Sequence, residues 1–538
     1  MNKGSDYQSA ITIIKGRTVQ AAYRKPQCPD HAGNPLIEAL PPILTDDQVM
    51  IRLSYYPKYR LAQRKAPTHI RYMLIQNGLK FFAPLDIHID LQRRFSNLLR
   101  IGYAGRNPMK NGFWQNLNAR LDSFDQYCDQ YDQQPDHLPS TAAGFNIVGP
   151  SGVGKSFSVE RILSITPQVI HHSCYHDRDF THSQLVWLKL DCPFDGNPRG
   201  LCLQFFRAVD SILGTNYYRN FTKKHLIQDV LLLEMANVAA NHFLGVLVID
   251  EIQRLSLAKS GGADLMLNFF VQLINIIGVP VVLIGNYKAL SVLTGDFSQI
   301  RRGTGQGDLI WDLMEKGKQW ELFVESLWRF QYTKKRCSST DKTDKSSKTS
   351  LTLSDVLYEE TQGITDFAVK AYMFAQERAI DSRKEIVTEA IIRSAAKDKL
   401  RLPREVLQAL KTKDKRVLEQ YEDLYYKLFK SYLYEQPEAV QATGRINSAP
   451  EIKVLLESPS NISEQQSSSV EIEDKHFAKT KSKKNALKHK KKRSSGPSIN
   501  GELPEIVSAS EAGDDISAYN ALNQAGHIRS PSEYLITD

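Results

Sequence analysis

The segment Gly149-Pro-Ser-Gly-Val-Gly-Lys-Ser156 constrains the fold more than any other stretch of the chain. It follows an apolar run, NIVG (146–149), and opens a helical pattern near Gly154. A glycine-rich loop in that setting can turn successive backbone N–H groups toward one point, and the helix N-terminus behind it favours negative charge there. The pattern GxxxxGK[ST] therefore predicts a phosphate-binding loop between a strand and a helix. The expected nucleotide contacts are Gly149, Pro150, Ser151, Gly152, Val153, Gly154, Lys155, Ser156 and Phe157. Lys155 would reach the β- and γ-phosphates, and Ser156 would ligate Mg²⁺.

The surrounding sequence predicts the scaffold. LVWLKLD (185–191), LGVLVID (244–250) and VPVVLIG (279–285) alternate with helical patterns around Leu201–Leu213, through Leu226, Val230 and Leu233, and over Leu265–Ile277. Nearly continuous β-branched runs point to strands buried on both faces, as in a parallel sheet covered by helices. Beyond residue 350 only helical pattern is seen, with Val369, Tyr372, Met373 and Gln376 on one side of a helix and Pro403 where a later helix could begin. An α/β core followed by a small helical lid is the AAA+ arrangement. The reading is an accessory, partner-binding region over 1–100, an α/β ATPase core over 101–335, and an unstructured insert over 336–350. A helical lid over 351–435 and a largely disordered tail over 436–538 complete it.

Further side chains fit nucleotide hydrolysis. Val246-Leu-Val-Ile-Asp-Glu251 ends a buried strand in two carboxylates, and ligands of open α/β sheets sit at such strand ends. Asp250 would hold Mg²⁺ and Glu251 would polarise the attacking water. Asn286, directly after VPVVLIG, is either a γ-phosphate sensor or an Asn that starts a turn. Arg301 or Arg302 would be the arginine that completes a neighbouring subunit's site. His171, His172, Cys174, His176, Asp177, Asp179 and His182 match no zinc spacing and read as a polar connecting loop.

Charge distribution narrows the choice of partner. Lys475–Arg493 holds nine Lys and one Arg, so those ten charges exceed the whole net charge of +9 and leave −1 elsewhere. Any grip on nucleic acid by the folded body must then come from a local basic stripe. Arg199, Arg219, Lys223 and Lys224 are the candidates, with a solvated basic face as the alternative. Six cysteines without a CxxC pair, no secretory leader pattern and no apolar run near ~18 residues suggest a cytosolic protein.

Several segments resemble the TnsC family, the AAA+ regulators of heteromeric Tns-type bacterial transposons. They are NPLIEALPP (34–42), GYAGRNP (102–108), FFRAVD (205–210), LGVLVIDEIQRLS (244–256) and SGGADLMLNFFVQLINIIGVPVVLIG (260–285). The ATPase core is more distantly similar to TniB, IstB and MuB. The resemblance implies an ATPase that uses ATP and Mg²⁺ and assembles head to tail with copies of itself on double-stranded DNA. It also implies a target-selector partner of the TniQ class, a DDE transposase with its endonuclease partner, a role in target immunity, and a bacterial cytoplasmic, nucleoid-associated setting. The chain departs from the AAA+ pattern at the lid, where Gly363-Ile-Thr-Asp366 stands in place of Gly-x-x-Arg and Lys370 follows one turn later. The apolar positions Ile516, Tyr519 and Leu522 in an acidic tail suit a segment that docks on the transposase or endonuclease. Competing readings are a replication or repair loader and a scaffold in which ATP is structural glue.

Overall fold

The structure is a computed structural model that describes residues 13–119, 144–224, 226–257, 262–293, 305–343, 350–418 and 420–421. Arg301, Arg302, the Lys475–Arg493 run and the proposed docking segment 501–538 lie outside the described residues.

Eight strands are described: β1 (Thr18–Gln20), β2 (Phe145–Val148), β3 (Val169–Tyr175), β4 (Arg178–Leu185), β5 (Trp187–Asp191), β6 (Val246–Asp250), β7 (Val281–Gly285) and β8 (Leu309–Ile310). Five form one sheet in the order β5-β6-β7-β2-β8, parallel throughout. β7 therefore lies between the strand leading into the phosphate loop and the strand carrying the two acids. Alternation along β6 explains its unbroken apolar run. Leu247 and Ile249 enter one core layer, packed with the helices Pro198–Leu213, Gln228–Asn241 and Gly262–Gln272. Val246 and Val248 enter the other layer, with Asp86–Ala104 and Lys155–Ile165. Both faces are covered, so no polar alternation is needed.

Three boundaries differ from the sequence reading. Helix Asp86–Ala104 buries Leu91, Phe95, Leu98 and Leu99 against the sheet, so the border drawn at residue 100 falls inside a core helix. Helix Lys318–Trp328 packs Trp320, Phe323 and Leu327 into the lid cluster with Val356, Leu357 and Tyr372, which moves the start of the helical layer well before 351. Residues 336–343 are tied down rather than loose. Cys337 is buried, and Gln331 donates its side-chain amide to the Cys337 carbonyl at 2.7 Å while accepting from its N–H at 3.1 Å. A composition count misses such a tether because one buried polar side chain satisfies the backbone locally.

The His-rich stretch is likewise a hairpin, not a loop. β3 pairs antiparallel with β4, and β1 adds to β3 in parallel. His176 and Asp177, with φ of +45° and +62°, make the two-residue turn, the left-handed pair that suits strand twist. His172 is buried, with Nε2 bonded to Gln184 and Nδ1 to Tyr23. Among the described residues no group of three or more His, Cys, Asp or Glu is placed to hold a metal ion, and no helix is long and apolar enough to cross a membrane.

Candidate nucleotide site

The loop after β2 has little room for side chains. A Cβ on Gly149 would lie 1.9 Å from the Trp311 carbonyl oxygen, because the backbone beyond β8 is bonded there through Trp311 N–H to Val148 O at 2.8 Å. Gly152 and Gly154 have φ of +85° and +96°, left-handed values that glycine adopts without strain. Gly154 caps helix Lys155–Ile165, whose first turn carries Lys155 and Ser156. The buried Lys155 ammonium donates to the carbonyls of Gly149 (2.6 Å) and Pro150 (2.7 Å), so the side chain is folded along its own loop.

Beside this loop opens a cavity of about 690 Å³, bounded by three parts of the chain. Gly152, Gly154 and Phe157 form one wall, Phe82 and His88 the second, and Thr365 and Asp366 of the lid the third. Phe82 and Phe157 meet edge to face at 5.5 Å, and the Arg161 guanidinium lies over both rings. His88 accepts the Leu85 N–H at Nδ1 (2.8 Å), which leaves Nε2 to donate to Ser158 Oγ at 3.1 Å. Burial lowers the His88 pKa to about 4, so the ring is neutral. The lid touches the phosphate loop directly: Thr365 Oγ1 donates to Val153 O at 3.3 Å and Asp366 N–H to Gly152 O at 3.3 Å. Lys370, one turn on, pairs with Asp366 at 2.6 Å.

At the end of β6, Asp250 is buried with both oxygens engaged. Oδ1 accepts the Glu251 N–H at 2.9 Å, and Oδ2 lies 2.9 Å from the ammonium of Lys189 on neighbouring β5. Lys189 also reaches Glu160 at 3.2 Å and Asp191 at 3.5 Å. Burial opposes its charge, but Asp250, Asp191 and Glu160 outweigh that effect and hold its pKa above the usual lysine value. Glu251 has φ of +59°, a left-handed conformation costly for a residue with a Cβ. Its Oε2 accepts from Gln253 Nε2 at 2.6 Å, while Gln253 Oε1 accepts the Asn286 N–H at 3.2 Å. The Asn286 side chain accepts the Lys288 N–H at 3.0 Å, which is the turn-starting geometry. Next along the chain, Tyr287 donates to Asp312, one of the residues lining the cavity.

The fold thus gathers Lys155, Ser156 and Phe157 at one helix start, and Asp250, Glu251 and Asn286 at the ends of adjacent strands. The candidate basic residues lie on other elements. Arg219, Lys223 and Lys224 are exposed on or just beyond the short helix Tyr217–Lys223. Arg199 is half-buried and donates to Leu226 O at 2.5 Å, so part of its guanidinium is committed within the protein. Sequence reasoning missed Lys189, Gln253 and His88. Only Lys189 left a signal, as a lone cation inside the apolar run LVWLKLD.

Residues 140–293 match the family model described as AAA domain (AAA_22). None of the curated proteins matches the chain. Among solved structures, the chain is similar to the Walker-type ATPase PABY2304 of Pyrococcus abyssi, at 13% identity over 55% of this chain and 76% of that one, with a TM-score of 0.30. It is also similar to the ORC2 protein of Aeropyrum pernix, at 12% identity over 54% and 68%, with a TM-score of 0.31. The RuvB Holliday junction branch migration motor of Thermotoga maritima matches at 11% identity over 53% and 67%, with a TM-score of 0.27. By the family match over residues 140–293, together with its phosphate loop, acid-tipped strand and parallel sheet, the chain carries an AAA+ P-loop ATPase domain.

Proposed function

We propose that this protein is an ATP-hydrolysing, DNA-bound regulator of transposition that assembles from copies of itself on duplex target DNA. The observation that carries the nucleotide half of this reading is the cavity between phosphate loop and lid, lined by Gly152 and Gly154 of the same loop along which Lys155 is folded. A bound triphosphate offers the Lys155 ammonium better acceptors than the carbonyls of Gly149 and Pro150, because hydrogen bonds between charged groups are the stronger kind. Phe82 and Phe157 supply flat apolar surface for a base. The lid closes on the loop that holds the phosphates, so occupancy changes how lid and core fit together.

Ser156 and Asp250 suit Mg²⁺, since hydroxyl and carboxylate are the hard oxygen donors that ion takes. Bound there, Mg²⁺ supplies charge neutralisation to the phosphates. Glu251 accepts the proton of the attacking water, and Asn286 holds that water or the γ-phosphate. Arg301 or Arg302 of an adjacent copy stabilises charge in the transfer. Arg219, Lys223 and Lys224 contact DNA phosphates, which position a protein without reading sequence. The transposition role rests on the segments that resemble the TnsC family. On that reading a TniQ-class selector recruits the assembly, which engages a DDE transposase and its endonuclease partner, and hydrolysis disassembles it.

Electron microscopy of the full-length protein with duplex DNA and a non-hydrolysable ATP analogue tests this. Ordered assemblies on DNA that need nucleotide, and that Lys155→Ala abolishes, are expected. Absence of nucleotide-dependent association with duplex defeats the reading. Glu251→Gln separates a hydrolytic timer from a scaffold: a timer stays locked on DNA and loses target discrimination, whereas a scaffold works as before.

A further inference from the structure

Lys189 is the one cationic side chain within the strand Trp187–Asp191, yet it is not a surface lysine. Its Nζ lies 2.9 Å from Asp250 Oδ2, and both side chains are only 5% exposed. The ammonium also meets Glu160, from the helix that begins at Lys155, and Asp191 at the end of its own strand. Three N–H donors thus face three carboxylates. Burying a carboxylate as deeply as Asp250 is costly unless it is paired, and Lys189 is its ion-pair partner here.

We propose that Lys189 is the resident counter-cation of the Asp250 metal site and sets how much magnesium nucleotide binding demands. The inference rests on the reading of Ser156 and Asp250 as the Mg²⁺ ligands and deepens it. A divalent ion brought to Asp250 meets a fixed positive charge already on that carboxylate. At such separations like-charge repulsion within a protein is large compared with thermal energy. Glu160 and Asp191 are the more exposed partners, at 37% and 51%. They give the ammonium somewhere to remain when the metal takes its share of Asp250. Lys189 is therefore a positioning residue that tunes the site without touching substrate. A purely structural ion pair would keep the strands together and have no reason to oppose the metal.

The test is equilibrium binding of a fluorescent ATP analogue to the full-length protein, first in EDTA and then across a magnesium titration. Wild type, K189M, K189Q and K189R are compared. K189Q retains a hydrogen-bond donor beside Asp250 without the charge, and decides the matter if K189M does not fold. Affinity in EDTA is expected to be equal in all four, because the phosphate loop is intact. The magnesium midpoint is expected to fall about tenfold in K189M and K189Q and to stay within about twofold in K189R, the sign and scale of removing one nearby positive charge. An unchanged or raised midpoint in K189Q overturns the proposal. Wild-type protein that binds no nucleotide at any magnesium concentration instead defeats the underlying nucleotide-site reading, a separate and recognisable result.

Discussion

Gln253 donates its side-chain N–H to Glu251 Oε2 at 2.6 Å, and its carbonyl oxygen accepts the Asn286 N–H at 3.2 Å. One amide therefore ties the acid at the end of β6 to the residue that follows β7. Its orientation is set by the backbone donor, since only the oxygen can accept. Glu251 itself keeps a left-handed backbone conformation, with φ of +59°. Gln253→Ala is expected to lower ATP turnover about tenfold, a fraction of what a positioned general base contributes. Nucleotide affinity should remain within about twofold. Steady-state hydrolysis set beside equilibrium binding measures both, and a loss of affinity equal to the loss of turnover would refute a positioning role.

Lys155→Ala should weaken nucleotide binding by about 10- to 100-fold, the worth of charge-assisted bonds to phosphate. The fold should survive, because the Lys155 bonds to Gly149 and Pro150 stay within its own loop and join no two elements of the core. Fluorescence titration and far-UV circular dichroism together check this. Near-normal affinity would remove Lys155 from the phosphate site.

Gly149→Ala places a methyl group 1.9 Å from the Trp311 carbonyl oxygen. The backbone of β2 or β8 must shift, at a cost of about 3 kcal/mol. Denaturant unfolding is expected to show that loss, accompanied by loss of nucleotide binding. Gly317→Ala serves as the control for stability, since no atom beyond its own chain neighbours lies within 4 Å of where its Cβ would sit.

Arg71, 1% exposed, forks onto both oxygens of Glu385 at 2.7 and 2.8 Å and so joins the N-terminal helix Thr68–Ile75 to the lid layer. Arg71→Met should cost about 3 kcal/mol, because the Glu385 carboxylate then keeps only the Lys334 N–H at 3.2 Å and the Lys334 ammonium at 3.9 Å, and the double change with Glu385→Met should cost less. The Arg71 hydrogen bond is the largest cause holding the Glu385 pKa below the usual range. A lowered folded value means that this contribution is complete above the unfolded pKa of ~4.3 and is lost as pH falls through the folded value. Acid unfolding midpoints of the wild type and of the double variant report it.

His88 gives a second pH dependence. Its folded pKa of about 4 lies below the unfolded value of ~6.5, so the unfolded chain takes up a proton that the fold refuses. Stability should fall as pH drops from ~6.5 toward 4 and level off below that. His88→Asn should flatten this part of the curve, as thermal unfolding between pH 7 and 4 would show. An unchanged slope would mean that other groups carry it.

Local signals were sufficient for the scaffold of the site. GPSGVGKS requires backbone freedom at Gly152 and Gly154, and both have left-handed φ. VLVID requires a strand buried on both faces, and β6 lies in the middle of a covered parallel sheet. Helix Arg404–Thr412 starts directly after Pro403, which stands at its N-cap, close to where the sequence predicts a helix start. The His-rich stretch shows the limit, because polar composition suggested a loop where pairing with β1 and β4 makes a strand.

By itself the sequence determined the elements whose geometry is local: the phosphate loop, the acid-tipped strand and the helices with one apolar face. Hydrogen bonds between near neighbours and side-chain periodicity carry those features. Only the tertiary structure decided which charges meet. Lys189 faces Asp250 across 61 positions of chain because β5 and β6 are adjacent and in register. His88 lines a cavity with Gly154 because a helix long before the loop packs on the same face of the sheet. Such encounters depend on strand order and layer packing, which are set by burial of the whole core and leave no local mark on the residues concerned.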